Sequence, residues 1–314
     1  MEVLIAGGAG YIGRHLATHL LALGHNVTVL GRSEGRIKWT FKDEPRVKIL
    51  SWVALMLAEN PLLPYDVVIN LCGVSVGEKA WTPKRRRELI DSRVQPTKTL
   101  AELCIKAGKD APRLFNASAI GVYGLQQNIQ GGLPEPFTEN SPIDFSQTPD
   151  FLAKIGREWE QATQSATAAG VNVVLLRFGV VLSRDGGVLK KLRLPYRLGL
   201  GGRMGSGDQP FTWISMTDLV NAITFLLDHP EVTGPVNIVS PHTVRQIEFA
   251  KAFGRAVKRP AWMVTPRWLV LMLFHQMGDE LLLRGQHVTP KRLLDLGYQF
   301  LTPTIDSALG MNSP

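Results

Sequence analysis

Met1-Glu2-Val3-Leu4-Ile5-Ala6-Gly7-Gly8-Ala9-Gly10-Tyr11-Ile12-Gly13 opens the chain and decides its fold. Val3 to Ala6 is a short apolar run of the kind that forms a buried parallel strand, and Gly7, Gly10 and Gly13 follow at three-residue spacing. An amphipathic run from Tyr11 to Leu23 then predicts a helix, and Asn26 to Leu30 a second strand. Strand, glycine turn, helix and strand make a βαβ start. Such a turn lets a dinucleotide pyrophosphate lie against backbone N–H groups at the helix N-terminus, where a Cβ would hold it off. The first element therefore predicts a cofactor site at Gly7, Gly10, Tyr11, Ile12 and Gly13.

A carboxylate that would take the ribose 2′-hydroxyl of NAD belongs at the end of the second strand. The residues there are Leu30-Gly31-Arg32-Ser33, with Arg36 and Lys38 just beyond. A guanidinium and a hydroxyl suit a 2′-phosphate, because arginine grips phosphate through two N–H donors. Arg32 and Ser33 thus predict NADP(H) rather than NAD.

With 314 residues and 45% hydrophobic content, the chain can bury a substantial core. No apolar run approaches the 18 residues of a membrane span; Trp268 to Phe274 is the longest candidate and His275 follows it. The N-terminus lacks the basic flank of a signal peptide, and Cys72 and Cys104 are the only cysteines, so a disulfide framework is excluded and a reducing cytoplasm is expected. The net charge of +8 raises the question of nucleic acid. Its densest clusters, Lys84-Arg85-Arg86-Arg87 and the spread Lys190, Lys191, Arg193, Arg197 and Arg203, carry no aromatic interleaving or nucleic-acid motif. The partner expected is a small molecule, with no nucleic acid and no membrane, and the chain reads as a monomer or a homodimer.

Further strands are predicted at Val47–Trp52, Tyr65–Gly73, Arg113–Ala117, Asn172–Phe178 and Pro235–Val239. Helices are predicted at Ala54–Glu59, Pro83–Ala107, Phe151–Ala169, Met216–Asp228 and Arg245–Val257, with short helices in the last fifty residues. Gly121 to Pro149 reads as a long functional loop, and the glycines at 199, 201, 202, 205 and 207 as a mobile flap. The alternation predicts an α/β fold, a Rossmann-type doubly wound parallel sheet with a smaller C-terminal substrate lobe. Residues 1–182, completed by about 211–240, would form the NADP-binding part; residues 183–210 and 241–314 would form the substrate lobe and tail.

These motifs resemble the extended short-chain dehydrogenase/reductase family over nearly the whole chain. Gly7-x-x-Gly10-x-x-Gly13 is similar to its cofactor loop, Asn70-Leu71-Cys72-Gly73 to its strand-four Asn-x-Ala-Gly, and Ser118-Ala119-Ile120-Gly121-Val122-Tyr123-Gly124 to its Ser-Ser-x-x-Val-Tyr-Gly. Arg177-Phe178-Gly179 and Trp213 to Leu219 match two later segments. Trp81 with Ser92-Arg93, Phe151 with Trp159-Glu160, Arg197 to Gly202, and the tail Gly285 to Leu293 resemble the epimerase-family, division-inhibitor-like (SulA-like) subgroup with its DUF1731-type tail. The resemblance implies cofactor contacts from Leu71, Cys72, Gly73, Arg93 and Ala117, and an oxidoreductase or epimerase whose substrate could be a nucleotide sugar.

One departure stands out. The family's Tyr-x-x-x-Lys pair, in which a lysine lowers the tyrosine pKa so that the phenol can pass a proton, falls here on Phe151-Leu152-Ala153-Lys154-Ile155. Ser118 and Tyr123 are left as the candidate catalytic groups: Ser118 to hydrogen-bond a substrate carbonyl, or to be satisfied by backbone; Tyr123 to act as acid, or to pack against the cofactor. Arg93 reaches the site or pairs with Asp91 or Glu88 at the surface. Arg177 and Asp218 are expected to pair across the lobes. No histidine spacing suits a metal, so none is predicted. An alternative is an NADP(H)-binding regulator without turnover, linked by its subgroup to cell division.

Overall fold

The computed structural model describes residues 1–148 and 150–311. Pro149, the last residue of the long loop expected from the sequence, and residues 312–314 of the tail lie outside the described residues. The chain runs through β1 (Glu2–Ala6), α1 (Tyr11–Ala22), β2 (Asn26–Gly31), α2 (Glu34–Thr40), β3 (Lys48–Ser51), α3 (Trp52–Leu57), β4 (Val67–Asn70), α4 (Pro83–Ala107) and β5 (Arg113–Ala119). After the long loop come α5 (Phe151–Gln161), α6 (Gln164–Ala168), β6 (Val173–Phe178), β7 (Val180–Ser183), α7 (Gly187–Arg197), β8 (Gly202–Met204), β9 (Pro210–Phe211), β10 (Trp213–Ser215) and α8 (Met216–Leu227). The last elements are β11 (Gly234–Ile238), β12 (Val244–Arg245), α9 (Gln246–Ala256), β13 (Met263–Thr265), α10 (Arg267–Gly278), α11 (Lys291–Asp295) and α12 (Ile305–Ala308).

Seven parallel strands form the main sheet in the order β11-β6-β5-β4-β1-β2-β3. Both faces of β1 are buried: Val3 and Ile5 join the core that packs against α1 and α8, while Leu4 and Ala6 join the one that packs against α4. That two-sided burial is why the strand reads as continuously apolar instead of alternating. The chain turns outward from β1 in both directions, so the crevice between β1 and β4 is the topological switch point where such sheets bind ligands.

Helix α4 spans the residues its sequence predicts, with the Thr82 hydroxyl accepting from Arg85 N and Pro83 at the first helical position. The predicted helix 151–169 is divided into α5 and α6, and of the apolar run 65–73 only Val67–Asn70 pairs in the sheet. The glycine-rich stretch expected as a flap is instead structured: β8 pairs in parallel with β13, Gly202 opposite Met263. A Cβ on Gly202 would lie 1.8 Å from the Met263 carbonyl oxygen, so glycine is needed there for two backbones to touch. The tail pins the long loop, through bridges between Gln126 and Gly285 and between Phe137 and Val288.

Candidate functional site

The glycine turn has the shape the pyrophosphate requires. Gly7 sits at φ +76°, where a side chain is strained, and a Cβ there would lie 3.0 Å from the Leu71 carbonyl. At Gly13 a Cβ would come within 2.5 Å of Gly8 Cα, so the helix start packs directly on the turn. Gly10 is the N-cap of α1, and no side chain caps this end, so the first-turn N–H groups of Tyr11, Ile12 and Gly13 are left without a side-chain acceptor. The Tyr11 side chain does not add to this. Its hydroxyl donates to Asp185 Oδ1 at 3.1 Å, and Arg14 donates to Asp185 Oδ2 at 2.8 Å, so the 183–187 loop is tied to the first turn of α1.

At the end of β2, Ser33 caps α2 by accepting from Arg36 N, and Arg32 is exposed. Arg32 lies close enough to Cys72 to act on it electrostatically; burial nonetheless pushes the Cys72 thiol up to about 12, which leaves it a neutral thiol. Leu71, Cys72 and Gly73 line the turn after β4, with Leu71 N hydrogen-bonded to the Ala6 carbonyl beside the glycine loop.

Arg93 sits below this turn. Its guanidinium donates to the carbonyls of Leu89 (2.8 Å) and Val74 (2.9 Å), packs over the Trp159 ring, and would be 3.1 Å from a Cβ on Gly73. The surface pair with Glu88 or Asp91 does not form, because the α4 register carries Arg93 inward and gives Glu88 to Arg85. Burial, with the nearby Arg85, lowers the Arg93 pKa to about 10, and its Nε has no hydrogen-bond partner among the described residues. Ala117 is 2% exposed within β5, and its carbonyl accepts from Asn116 Nδ2.

The two candidate catalytic hydroxyls are drawn into one buried network. Ser118 is 1% exposed and donates to Glu160 Oε1 at 2.6 Å. Arg177 donates to both Glu160 oxygens at 2.8 Å and to the Tyr123 hydroxyl at 2.9 Å; Tyr123 in turn donates to Asn237 Oδ1 at 2.8 Å. Both hydroxyl protons are spent inside this network. Burial raises the Tyr123 pKa, outweighing the opposing pull of Arg177 and Asn237, and its ring stacks on Phe137. Neither the acid role for Tyr123 nor the substrate contact for Ser118 therefore has a free donor in this arrangement. The reason is strand alternation: Ser118 shares the β5 face of Leu114 and Asn116, where Glu160 of α5 meets it, while the half-buried Ala119 faces the other way.

The expected Arg177–Asp218 pair is also replaced. Arg177 belongs to Glu160, and Asp218 accepts from Leu301 N (2.8 Å), Thr302 N (2.9 Å) and Ser215 Oγ (3.0 Å). Phe151 lies edge-on to Trp81 with Arg86 above it, Ile155 is buried in the same cluster, and Lys154 is half exposed beside Glu158. Glu160, Asn237 and Glu280 were not singled out as site residues from the sequence. The motif pair Trp159-Glu160 was the one signal that could have pointed to Glu160.

Residues 3–239 match the NAD dependent epimerase/dehydratase family. The chain belongs to that family. Residues 265–310 match a domain of unknown function, DUF1731. Over 312 residues, covering 98% of this chain and 96% of the relative, it is 38% identical to an epimerase family protein of Mycobacterium bovis, and 33% identical over 309 residues to one of Staphylococcus aureus (98% and 97% covered). The crystal structure of human epimerase family protein SDR39U1 (isoform 2) with NADPH matches at TM-score 0.83 and 33% identity, covering 98% of each chain. A nucleoside-diphosphate sugar epimerase of Corynebacterium glutamicum matches at TM-score 0.74 and 28% identity, covering 99% of this chain and 57% of that one. This member of the epimerase/dehydratase family is thus an extended short-chain dehydrogenase/reductase with a Rossmann-type sheet and a DUF1731 tail. Among its described residues no group of three or more His, Cys, Asp or Glu is placed to hold a metal ion, and no helix is long and apolar enough to cross a membrane.

Proposed function

We propose that the chain binds NADP(H) in the crevice between β1 and β4 and works as an oxidoreductase or epimerase on a small carbonyl or hydroxyl substrate, without a tyrosine–lysine proton relay. The glycine cradle carries this reading: Gly7 and Gly13 leave no room for a Cβ, and the α1 N–H groups are unclaimed by a side-chain cap. The residues present fit the cofactor. Backbone groups at 10–13 would hold the pyrophosphate, Arg32 and Ser33 the 2′-phosphate, and Leu71 to Gly73 would form the floor, stiffened from below by Arg93. The nicotinamide would supply the hydride chemistry. The human relative seen with NADPH supports the phosphate reading. The division proposed is an NADP-binding part of residues 1–182, completed by 211–240, with the remainder forming a substrate lobe.

Titration with NADPH and NADH by calorimetry tests the reading. NADPH is expected to bind more tightly, and Arg32→Asp to remove that preference, a loss of about 1.5–3 kcal/mol if the arginine makes charge-assisted bonds. Tighter binding of NADH would overturn it and turn attention to Glu34, the first residue of α2. A second reading, a cofactor-binding regulator without turnover, is favoured by one observation: Ser118 and Tyr123 have no proton free to give. NADPH oxidation across a panel of carbonyl compounds separates the two readings. Turnover retained in Tyr123→Phe supports the relay-free enzyme, whereas tight NADPH binding with no turnover supports the regulator.

A further inference from the structure

We propose that the face built by α7, β8, β13 and α10 docks on an anionic membrane surface, as a peripheral contact and not a span. Three observations converge on it. The first is apolar exposure: Trp262 is 79% exposed, Trp268 65%, Leu198 66% and Leu200 55%, with Met263 and Val264 exposed between them. Leu200, Met263 and Val264 are neighbours in space, because β13 pairs with β8 and Met263 N donates to the Gly201 carbonyl, one residue beyond Leu200; Trp262 precedes this strand and Trp268 follows it three residues after Thr265. A patch of this kind on a folded protein marks an interaction surface.

The second observation is α10 itself. Its first eight residues, Arg267-Trp268-Leu269-Val270-Leu271-Met272-Leu273-Phe274, are among the most apolar in the chain, yet only Val270 of them is buried. The helix presents Trp268 and Met272 together, four residues apart on one face. It is too short to cross a bilayer and suits the interfacial position that tryptophan prefers.

Charge is the third and identifies the occupant. Residues 186–207 contain five Lys or Arg and no acid, and residues 249–278 contain five more and no acid. Six of the ten, Lys190, Lys191, Arg193, Arg197, Arg203 and Arg267, lie on α7, β8 and α10, and Lys258 and Arg259 lie in the turn that leads into β13. Asp279 pairs with Arg267 and Arg284, while Lys190, Lys191, Arg193, Arg197 and Arg203 have no acidic partner among the described residues. Arg197 and Arg203 alternate with the apolar residues: Arg197 precedes Leu198, and Arg203 lies opposite Val264. A second copy of the chain would bring like charges together; a bilayer of acidic headgroups accepts both the cations and the tryptophans. This departs from the expectation of no membrane partner, which rested on the lack of a spanning segment, and it gives Arg193, Arg197 and Arg203 a role other than holding a sugar diphosphate.

Co-sedimentation of the full chain with vesicles tests it. Binding is expected to phosphatidylglycerol-containing vesicles and not to pure phosphatidylcholine, with a blue shift of tryptophan emission and loss at high salt. The double variants Trp262→Glu/Trp268→Glu and Arg193→Glu/Arg197→Glu should each weaken binding about tenfold or more, with unchanged circular dichroism and melting temperature to show that the fold is kept. Failure of the wild-type chain to bind anionic vesicles overturns the proposal, as does equal binding by both variants. Dimerisation abolished by the tryptophan variants, without vesicle binding, would overturn it in favour of a second copy.

Discussion

Glu160 and Arg177 are 3% and 4% exposed and satisfy each other through two bonds, so neither can be removed alone without stranding a buried charge. Burial by itself would lower the Arg177 pKa, but the Glu160 carboxylate outweighs it and holds the guanidinium charged. Arg177→Met should therefore destabilise the fold by about 3–5 kcal/mol, read from urea unfolding. Ser118→Ala loses one hydrogen bond to the same charged carboxylate and should cost about 1.5–3 kcal/mol; a much larger loss of NADPH turnover than of stability would restore a catalytic role to Ser118. Glu139 adds a pH dependence. Burial raises its pKa, against the opposing N–H donors of Asn237 and Arg292, so the folded state holds its proton more tightly than the unfolded one. Stability from this group is full below the ordinary carboxylate range and is lost as pH rises through the raised value. Unfolding free energies measured from acid to neutral pH should show that decline, and Glu139→Gln should remove it.

Helix α5 shows how elements distant in sequence are joined. Its N-terminus is capped by Asp150, which accepts from Ala153 N at 2.8 Å, and by Glu280 from the tail, which accepts from Phe151 N at 3.1 Å and Leu152 N at 2.9 Å. Two orphan N–H groups of a buried helix end are thus satisfied by a residue about 130 positions away. Glu280→Ala should cost about 1–3 kcal/mol, since it leaves those donors without a partner; thermal melts of the variant check this, and an unchanged melt would mean that water replaces the carboxylate. At α1 the constraint is closeness. Gly13→Ala sets a Cβ against Gly8 Cα, so NADPH titration of that variant should show binding abolished even where the protein remains folded.

Across the whole molecule the tail is part of the core. Leu293 is fully buried and Tyr298 nearly so, both within the cluster that packs β1, α1 and α8, and Tyr298 donates to the Asp218 carbonyl at 3.1 Å. A chain ended at residue 264 would expose that cluster, and it is expected to aggregate or lose its cooperative melt, as size-exclusion chromatography and calorimetry would show. Independent folding of residues 1–264 would instead make the tail an accessory.

The parts legible in the amino-acid sequence are those decided within a few residues. The β1 strand, the glycine turn and α1 follow from local periodicity and from where a Cβ is forbidden, and α4 announces both ends through Thr82-Pro83 and Gly108. What lay outside local reach was left to the tertiary structure. Glu160 and Arg177 come from a helix and a strand that meet only when the sheet is built, which is why Arg177 pairs with Glu160 and not with the expected Asp218. The partner of Ser118 depends on α5 bringing Glu160 to its face of β5, and the glycines near 202 provide closeness to β13, not the freedom their number suggests. Local chemistry determines which conformations a segment can adopt; only the packed sheet determines which side chains share a low-dielectric interior, and so which hydroxyls, charges and carboxylates become partners.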